Sequence, residues 1–207
     1  MAIFDKPCLM DIDTQVDFAF PTGALYVPGA EELIPVWKKL TELGQANHLP
    51  MVASMDCHRP DDPEFAQYSP HCIVGTSGQR KIAETLCDNH QIISPEEGDV
   101  TVDFRSQLIL EKNALDIFTN AKAAQIFAAI SCSTFAVYGL TTEHGVRAAV
   151  MGLLQRGYRV HVISDAVRPL DPAVGERTLA ELANAGAAFI QSATFIEKVR
   201  QHFAHQM

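Results

Sequence analysis

The chain has 207 residues and 47% apolar content, enough to bury one substantial core, and no break in composition suggests a second. One domain spanning 1–207 is expected. A formal net charge of −9 disfavours a nucleic-acid partner, which would require clustered Lys and Arg, so the expected partner is a small-molecule substrate.

In chain order, the first seven residues lack the basic stretch, long apolar stretch and small-residue cleavage site of a secretory signal, so a cytoplasmic location is expected. An apolar run at 8–12 reads as a strand, followed by a helical pattern at 30–45 after a Pro-Gly turn. A second strand, 50–54, leads into an irregular stretch at 58–77 that carries Pro60, Pro63, Pro70 and Gly75, a natural binding loop. A helix at 78–88, a strand at 107–110, a helix at 121–130 and a strand at 135–140 come next. The remainder alternates helix 142–156, strand 159–163, helix 172–185, strand 187–190 and helix 193–205. Continuous apolar strands separated by helices predict an α/β fold: a six-stranded, mainly parallel sheet covered on both faces, in three α/β/α layers. The 20 uncharged residues between Lys122 and Glu143 have the length of a membrane span, but Gln125, Ser131, Cys132, Ser133 and Thr134 interrupt them, and no membrane partner is expected. Five cysteines (Cys8, Cys57, Cys72, Cys87, Cys132) form no Cys-x-x-Cys pair, which fits reduced thiols.

Residues suited to chemistry sit where these strands end, and in such folds those ends converge on one edge of the sheet. Asp13 and Asp17 flank Gln15 after the first strand; they suit proton transfer or, equally, a capped turn. Asp11, two residues earlier, is a rival to Asp13. Asp56 and His58 point the same way if the chain after the second strand stays extended, and His71 could complete an Asp/His/His metal site with open positions. Such a site suits zinc, or alternatively iron or manganese. Glu64 could be a fourth ligand or support one. Lys112 either holds the Asp13 carboxylate or forms a surface pair with Glu111. The turn from Gly139 to Arg147 opens a helix whose first amides suit an oxyanion, with Thr142 as a possible cap. No motif calls for an organic cofactor.

Taken together, these motifs resemble the isochorismatase-like hydrolase superfamily, which includes nicotinamidases. The resemblance rests on Asp13-x-Gln15-x-Asp17-Phe18, on Asp56-x-His58 with Phe65 and Pro70-His71-Cys72-x-x-Gly75-Thr76, on Lys112 followed by Asp116-x-Phe118, and on Gly139 through Val146. It implies a sheet of Rossmann-type order, a catalytic Asp13 and Lys112, and a metal held by Asp56, His58 and His71, with Glu64 in place of a further histidine. Phe18 and Tyr68 fall where aromatic residues cover the substrate ring. The resemblance also implies a cis peptide at Leu140–Thr141, an oxyanion hole from the amides of Thr141 and Gly145, and a homo-oligomer.

One departure changes the chemistry expected. The family's nucleophilic cysteine falls on Gly145, which closes the thioester route there. Cys57 and Cys72 are poor substitutes, because neither sits at a helix start that would lower a thiol pKa. Isochorismatases also resemble members with glycine at this point, and their vinyl-ether hydrolysis needs no covalent intermediate. The favoured expectation is therefore a hydrolase of a small cyclic or carboxylate-bearing molecule, with a noncovalent acid/base mechanism centred on Asp13 and Lys112. The alternatives are a nicotinamidase-like amidase using metal-activated water, and a catalytically silent ligand-binding member.

Overall fold

The computed structural model describes residues 7–204, so most of the N-terminal segment read above, and His205 at the expected end of the last helix, lie outside the described residues. The centre is a sheet of seven strands: β1 (Cys8–Ile12), β2 (Met51–Asp56), β3 (His90–Ile93), β4 (Gln107–Lys112), β5 (Thr134–Leu140), β6 (Arg159–Arg168) and β7 (Ala188–Ile190). They lie in the order β3-β4-β2-β1-β5-β6-β7, and every pairing is parallel. The expected count of six missed β3. That strand is an edge, and only Ile93 of its four residues is buried, so it has no continuous apolar run to announce it. With β3 set aside, the other six follow the 3-2-1-4-5-6 order of doubly wound sheets, in which the chain reverses direction beside β1.

The core follows the alternation of side chains along each strand. Cys8, Met10 and Ile12 of β1 pack in one cluster with residues of α3 (Ala123–Ala129), α4 (Arg147–Gln155) and α5 (Pro172–Asn184). Leu9 belongs to a second cluster with Trp37 and Leu40 of α2 (Ile34–Ala46) and Phe195 and Val199 of α6 (Ser192–Ala204). A further short helix, α1 (Val16–Ala19), follows β1 directly and was not anticipated.

Two expected helices differ. No α-helix forms over 78–88, where the only helical turn is a 3-10 turn at Ala83–Thr85. The segment's backbone is spent on the residues after β1 instead: the Arg80 carbonyl accepts from the Val16 amide, and the Ile82 amide donates to the Thr14 carbonyl. The helix expected at 142–156 starts as a wider turn, Thr142–Val146, closed by the Val146 amide on the Thr141 carbonyl at 3.2 Å, before α4 proper. The long uncharged stretch divides between α3 and β5, and no helix among the described residues is long and apolar enough to cross a membrane.

Candidate active site and metal centre

Register places the first group of residues. Pairing of β2 with β4 sets Asp56 opposite Lys112, and pairing of β1 with β5 sets Ile12 opposite Gly139. Gly139 has φ +119°, and a Cβ there would lie 2.0 Å from the Ile12 carbonyl oxygen, so only glycine lets β1 and β5 close at this point. The next residue of β1's chain, Asp13, turns out of the strand with φ +49°, a left-handed conformation that Asp tolerates better than most side chains. Its Oδ2 lies 2.9 Å from Lys112 Nζ, and its Oδ1 accepts from Ser54 Oγ at 2.6 Å. Lys112 also donates to Asp56 Oδ1 and is 1% exposed, which removes the surface-pair reading with Glu111.

Two carboxylates thus share one ammonium in a buried site, and their proton affinities move apart. Burial raises the Asp13 carboxyl, Asp56 adds to that, and Lys112 and Ser54 oppose it, leaving Asp13 at about 6. Burial also acts on Asp56, but Lys112 and His58 outweigh it and hold that carboxyl at about 2. Burial opposes the charge on Lys112, yet the two acids more than compensate and raise its pKa.

Residues 15 and 17 hold this arrangement together. Gln15 donates through Nε2 to the carbonyls of Asp56 (2.9 Å) and Gln79 (2.7 Å) and accepts the Asp56 amide through Oε1 at 2.8 Å. Asp17 accepts the amide of Cys72 at 2.7 Å and that of Ala24 at 3.0 Å, which ties the loop carrying His71 to the segment after β1. His58 and Ile73 form a parallel bridge, so the two histidines are set on neighbouring strands of chain.

The ligand atoms of Asp56, His58 and His71 lie within 4.8 Å of one another, and all three residues are buried. Each imidazole has its Nδ1 engaged: His58 by Asp62 Oδ2 at 3.0 Å, His71 by the Ser69 carbonyl at 2.8 Å. That leaves both Nε2 atoms facing Asp56 Oδ2, at 3.7 and 3.9 Å, and His58 Nε2 is buried with no hydrogen-bond partner. Lone pairs converging in this way, each fixed by a partner on the opposite ring nitrogen, suit a divalent cation. Glu64 Oε1 lies 3.9 Å from His71 Nε2, close enough to join or support the set. A second trio, His58, Asp62 and Glu64, is less apt, because Asp62 is already committed to His58 Nδ1. Phe18 and Phe65 pack against the imidazoles at centroid distances of 5.3 Å (Phe18–His71) and 5.5 Å (His58–Phe65). In the absence of an ion, burial opposes protonation of His58, but Asp56 and Asp62 raise it to about 9.

Asp13, Asp56, Glu64, His71 and Lys112 line one pocket. Phe18, Leu25, Val27, Leu115, Leu140 and Leu170 give it apolar walls, and Tyr68, Thr141, His144 and Gly145 complete the lining. Nine candidate residues from the sequence, Asp13, Phe18, Asp56, Glu64, Tyr68, His71, Lys112, Thr141 and Gly145, line this pocket, and His58 joins Asp56 and His71 in the cation trio without lining it. The Leu140–Thr141 peptide is cis. At Gly145 a Cβ would stand 2.6 Å from Asp13 Oδ2 and 2.9 Å from Ile12 Cγ2, so Asp13 occupies the space beside the missing side chain.

Asp11, the rival acid, goes elsewhere. It pairs with Lys81 Nζ at 2.8 Å and with the Thr14 hydroxyl, is 1% exposed, and does not line the pocket. Lys81 lies in the segment 78–88 whose spacing predicts a helix, and the acid at the end of an apolar strand, Asp11, is the sequence signal that calls for such a cation. His144, within the turn from Gly139 to Arg147, meets Thr141 and Tyr68. Neither alternative thiol is activated: burial pushes Cys57 up to about 11 and raises Cys72 far further.

Comparison with known proteins bears on this geometry. The isochorismatase domain family matches residues 7–194. The nicotinamidase of Escherichia coli (strain K12) is 25% identical, covering 91% of this chain and 96% of its own. A pyrazinamidase of Pyrococcus horikoshii, solved in complex with zinc, superposes with a TM-score of 0.74 at 25% identity over 90% of this chain and 99% of its own. An isochorismatase-like hydrolase from Alkaliphilus metalliredigens shares the fold with a TM-score of 0.76 at 22% identity, covering 93% and 98% of the two chains.

Proposed function

The chain belongs to the isochorismatase family, and from that premise we propose that it works as a single isochorismatase-like domain: a hydrolase of a small cyclic or carboxylate-bearing molecule by a noncovalent acid/base route centred on Asp13 and Lys112. The observation that carries this reading is a buried carboxyl with a pKa of about 6, held by Lys112 and Ser54, in a pocket where glycine stands at the nucleophile position. Such a group is partly protonated near neutrality and can both give and take a proton. With an enol ether, protonated Asp13 transfers its proton to the alkene carbon and leaves an oxocarbenium ion. Water adds to that cation and returns one proton to the Asp13 carboxylate, and the adduct breaks its C–O bond to give a carbonyl compound and an alcohol. Lys112 stays charged throughout and holds the carboxylate in place. The start of the turn at Thr141 and Gly145 would cradle oxygen that gains negative character.

Asp56, His58 and His71, with Glu64 beside them, would hold a divalent cation, zinc first and iron or manganese as alternatives. When bound, that ion supplies a Lewis acid at the edge of the pocket. The second reading, a metal-dependent amidase, is favoured by the buried, partnerless His58 Nε2 and by likeness to a zinc-complexed pyrazinamidase. Two assays on purified enzyme separate them, using a panel of enol ethers and cyclic amides. Turnover that Asp13→Ala abolishes and exhaustive chelation spares supports the acid route; the reverse pattern replaces it with the amidase. We also propose a cytoplasmic homo-oligomer; light scattering of the purified enzyme tests the subunit number, and fractionation of the cells that make it tests the location.

A further inference from the structure

The pocket also carries a hydrogen-bond chain that the acid route does not use. Thr141 Oγ1 lies 2.8 Å from His144 Nδ1, and His144 Nε2 lies 3.3 Å from the Tyr68 hydroxyl, with the two rings edge-on at 84°. All three residues line the pocket. Thr141 stands at the N-cap of the turn Thr142–Val146, where a threonine hydroxyl ordinarily accepts an amide of the first turn, yet its side chain caps nothing. That hydroxyl is committed to the imidazole instead.

A hydroxyl beside an imidazole whose second nitrogen meets a third polar group is the arrangement that activates an oxygen nucleophile. Nδ1 accepts from Thr141 when the ring carries its proton on Nε2, and that proton is then shared with the Tyr68 oxygen. Tyr68 thereby favours the tautomer in which the imidazole acts as a base. Amides at the start of the same turn, those of Thr141 and Gly145, would cradle the oxygen that gains charge. Leu25, Val27, Leu140 and Leu170 supply apolar wall for an acyl or aryl group.

We propose that Thr141, with His144 as its base, gives this pocket a second activity: covalent cleavage of small carboxylic esters through an acyl-threonine. His144 Nδ1 takes the hydroxyl proton as Thr141 Oγ1 bonds to the ester carbonyl carbon, and the carbonyl electron pair moves onto its oxygen. That pair returns as the bond to the leaving oxygen breaks, and Nδ1–H gives the leaving oxygen its proton. Water then adds to the acyl carbon while His144 takes one of its protons. The bond to Thr141 Oγ1 breaks, Oγ1 recovers that proton, and the acid departs. Asp13 gives and takes nothing in this sequence.

The test uses 4-nitrophenyl acetate with the purified protein, metal-free and zinc-loaded. Nitrophenolate release is followed by rapid mixing, and the acetyl group is located by peptide mass spectrometry after acid quenching. An acetyl group on Thr141 and a burst of nitrophenolate stoichiometric with the protein are expected in both forms. Thr141→Val should remove adduct and burst, and Thr141→Ser, which keeps the hydroxyl, should restore both. His144→Ala should slow acylation about 10²–10⁴-fold, the range for a positioned base. Tyr68→Phe should slow it about tenfold, the worth of one hydrogen bond of ordinary strength. Release of nitrophenolate without an acetyl group on Thr141, as water held on the metal would give, overturns the proposal. So does acylation that the loss of His144 leaves unchanged, a Thr141→Ser protein as silent as Thr141→Val, or no release above the rate in buffer. Turnover of enol ethers is a separate measurement, so failure of the acid route and failure of this activity are told apart.

Discussion

Asp11 and Asp13 stand two residues apart at the end of one strand, and each is paired with a buried lysine, yet the two pairs are built for different ends. The Lys81 group is closed: its ammonium meets Asp11 Oδ2 and Thr14 Oγ1, both at 2.8 Å, and Thr14 in turn meets Thr85 at 2.7 Å. The Lys112 group is open: one ammonium serves two carboxylates and all three face the pocket. A surplus acid beside a cavity keeps a proton mobile near neutrality, whereas a matched pair without a cavity only holds the chain.

The sharpest way to break this comparison is substitution. Asp13→Asn is expected to lower kcat by about 10²–10⁴-fold, the range for losing a positioned proton-transfer group, in steady-state assays. Lys112→Met and Lys81→Met should each cost about 3–5 kcal/mol in denaturant melts, because each strands buried acid. The pairs then part company: replacing Asp11 and Lys81 together with Val and Met should restore most of that stability and retain turnover. The matching double change at Asp13 and Lys112 should remain inactive.

Zinc should raise stability by about 2.7 kcal/mol at a hundredfold excess over its dissociation constant, read as a shift in Tm, and His58→Ala with His71→Ala should remove the shift. Because His58 sits at about 9 without an ion, zinc uptake at neutral pH should also release a proton. Gly145→Ala places a methyl group 2.6 Å from Asp13 Oδ2 and should cost about 1–3 kcal/mol, with kcat falling as Asp13 is displaced. The mildest effect is that of pH. On the proposed route protonated Asp13 is the acid, so kcat should be highest below about pH 6 and fall roughly tenfold per unit above it. A rate that rises through the same point would identify Asp13 as a base instead.

Much of this was legible in the residues. The strands at β1, β2, β4, β5, β6 and β7 announce themselves as apolar runs, and Asp13, Asp56, His58, His71 and Lys112 are of the types that proton transfer and cation binding require, all but His71 near a strand end. What hid from the sequence depends on distant pairing. Strand β3 is an exposed edge, so its residues carry no burial signal. The segment around Lys81 has helical spacing, but the carbonyl of Thr14 and the carboxylate of Asp11 claim its amide and ammonium groups. His144 meets Thr141 three residues away, but its other partner, Tyr68, comes from the loop before His71, and no local spacing reveals that meeting.

The stretch from Asp13 to Asp17 assigns a separate task to every second residue: a carboxylate held by Lys112 and Ser54, a clamp on the backbone of Asp56, and an anchor for the loop of His71. Insertion or deletion of a single residue there would put all three out of phase at once. These five positions should consequently accept almost no change in length.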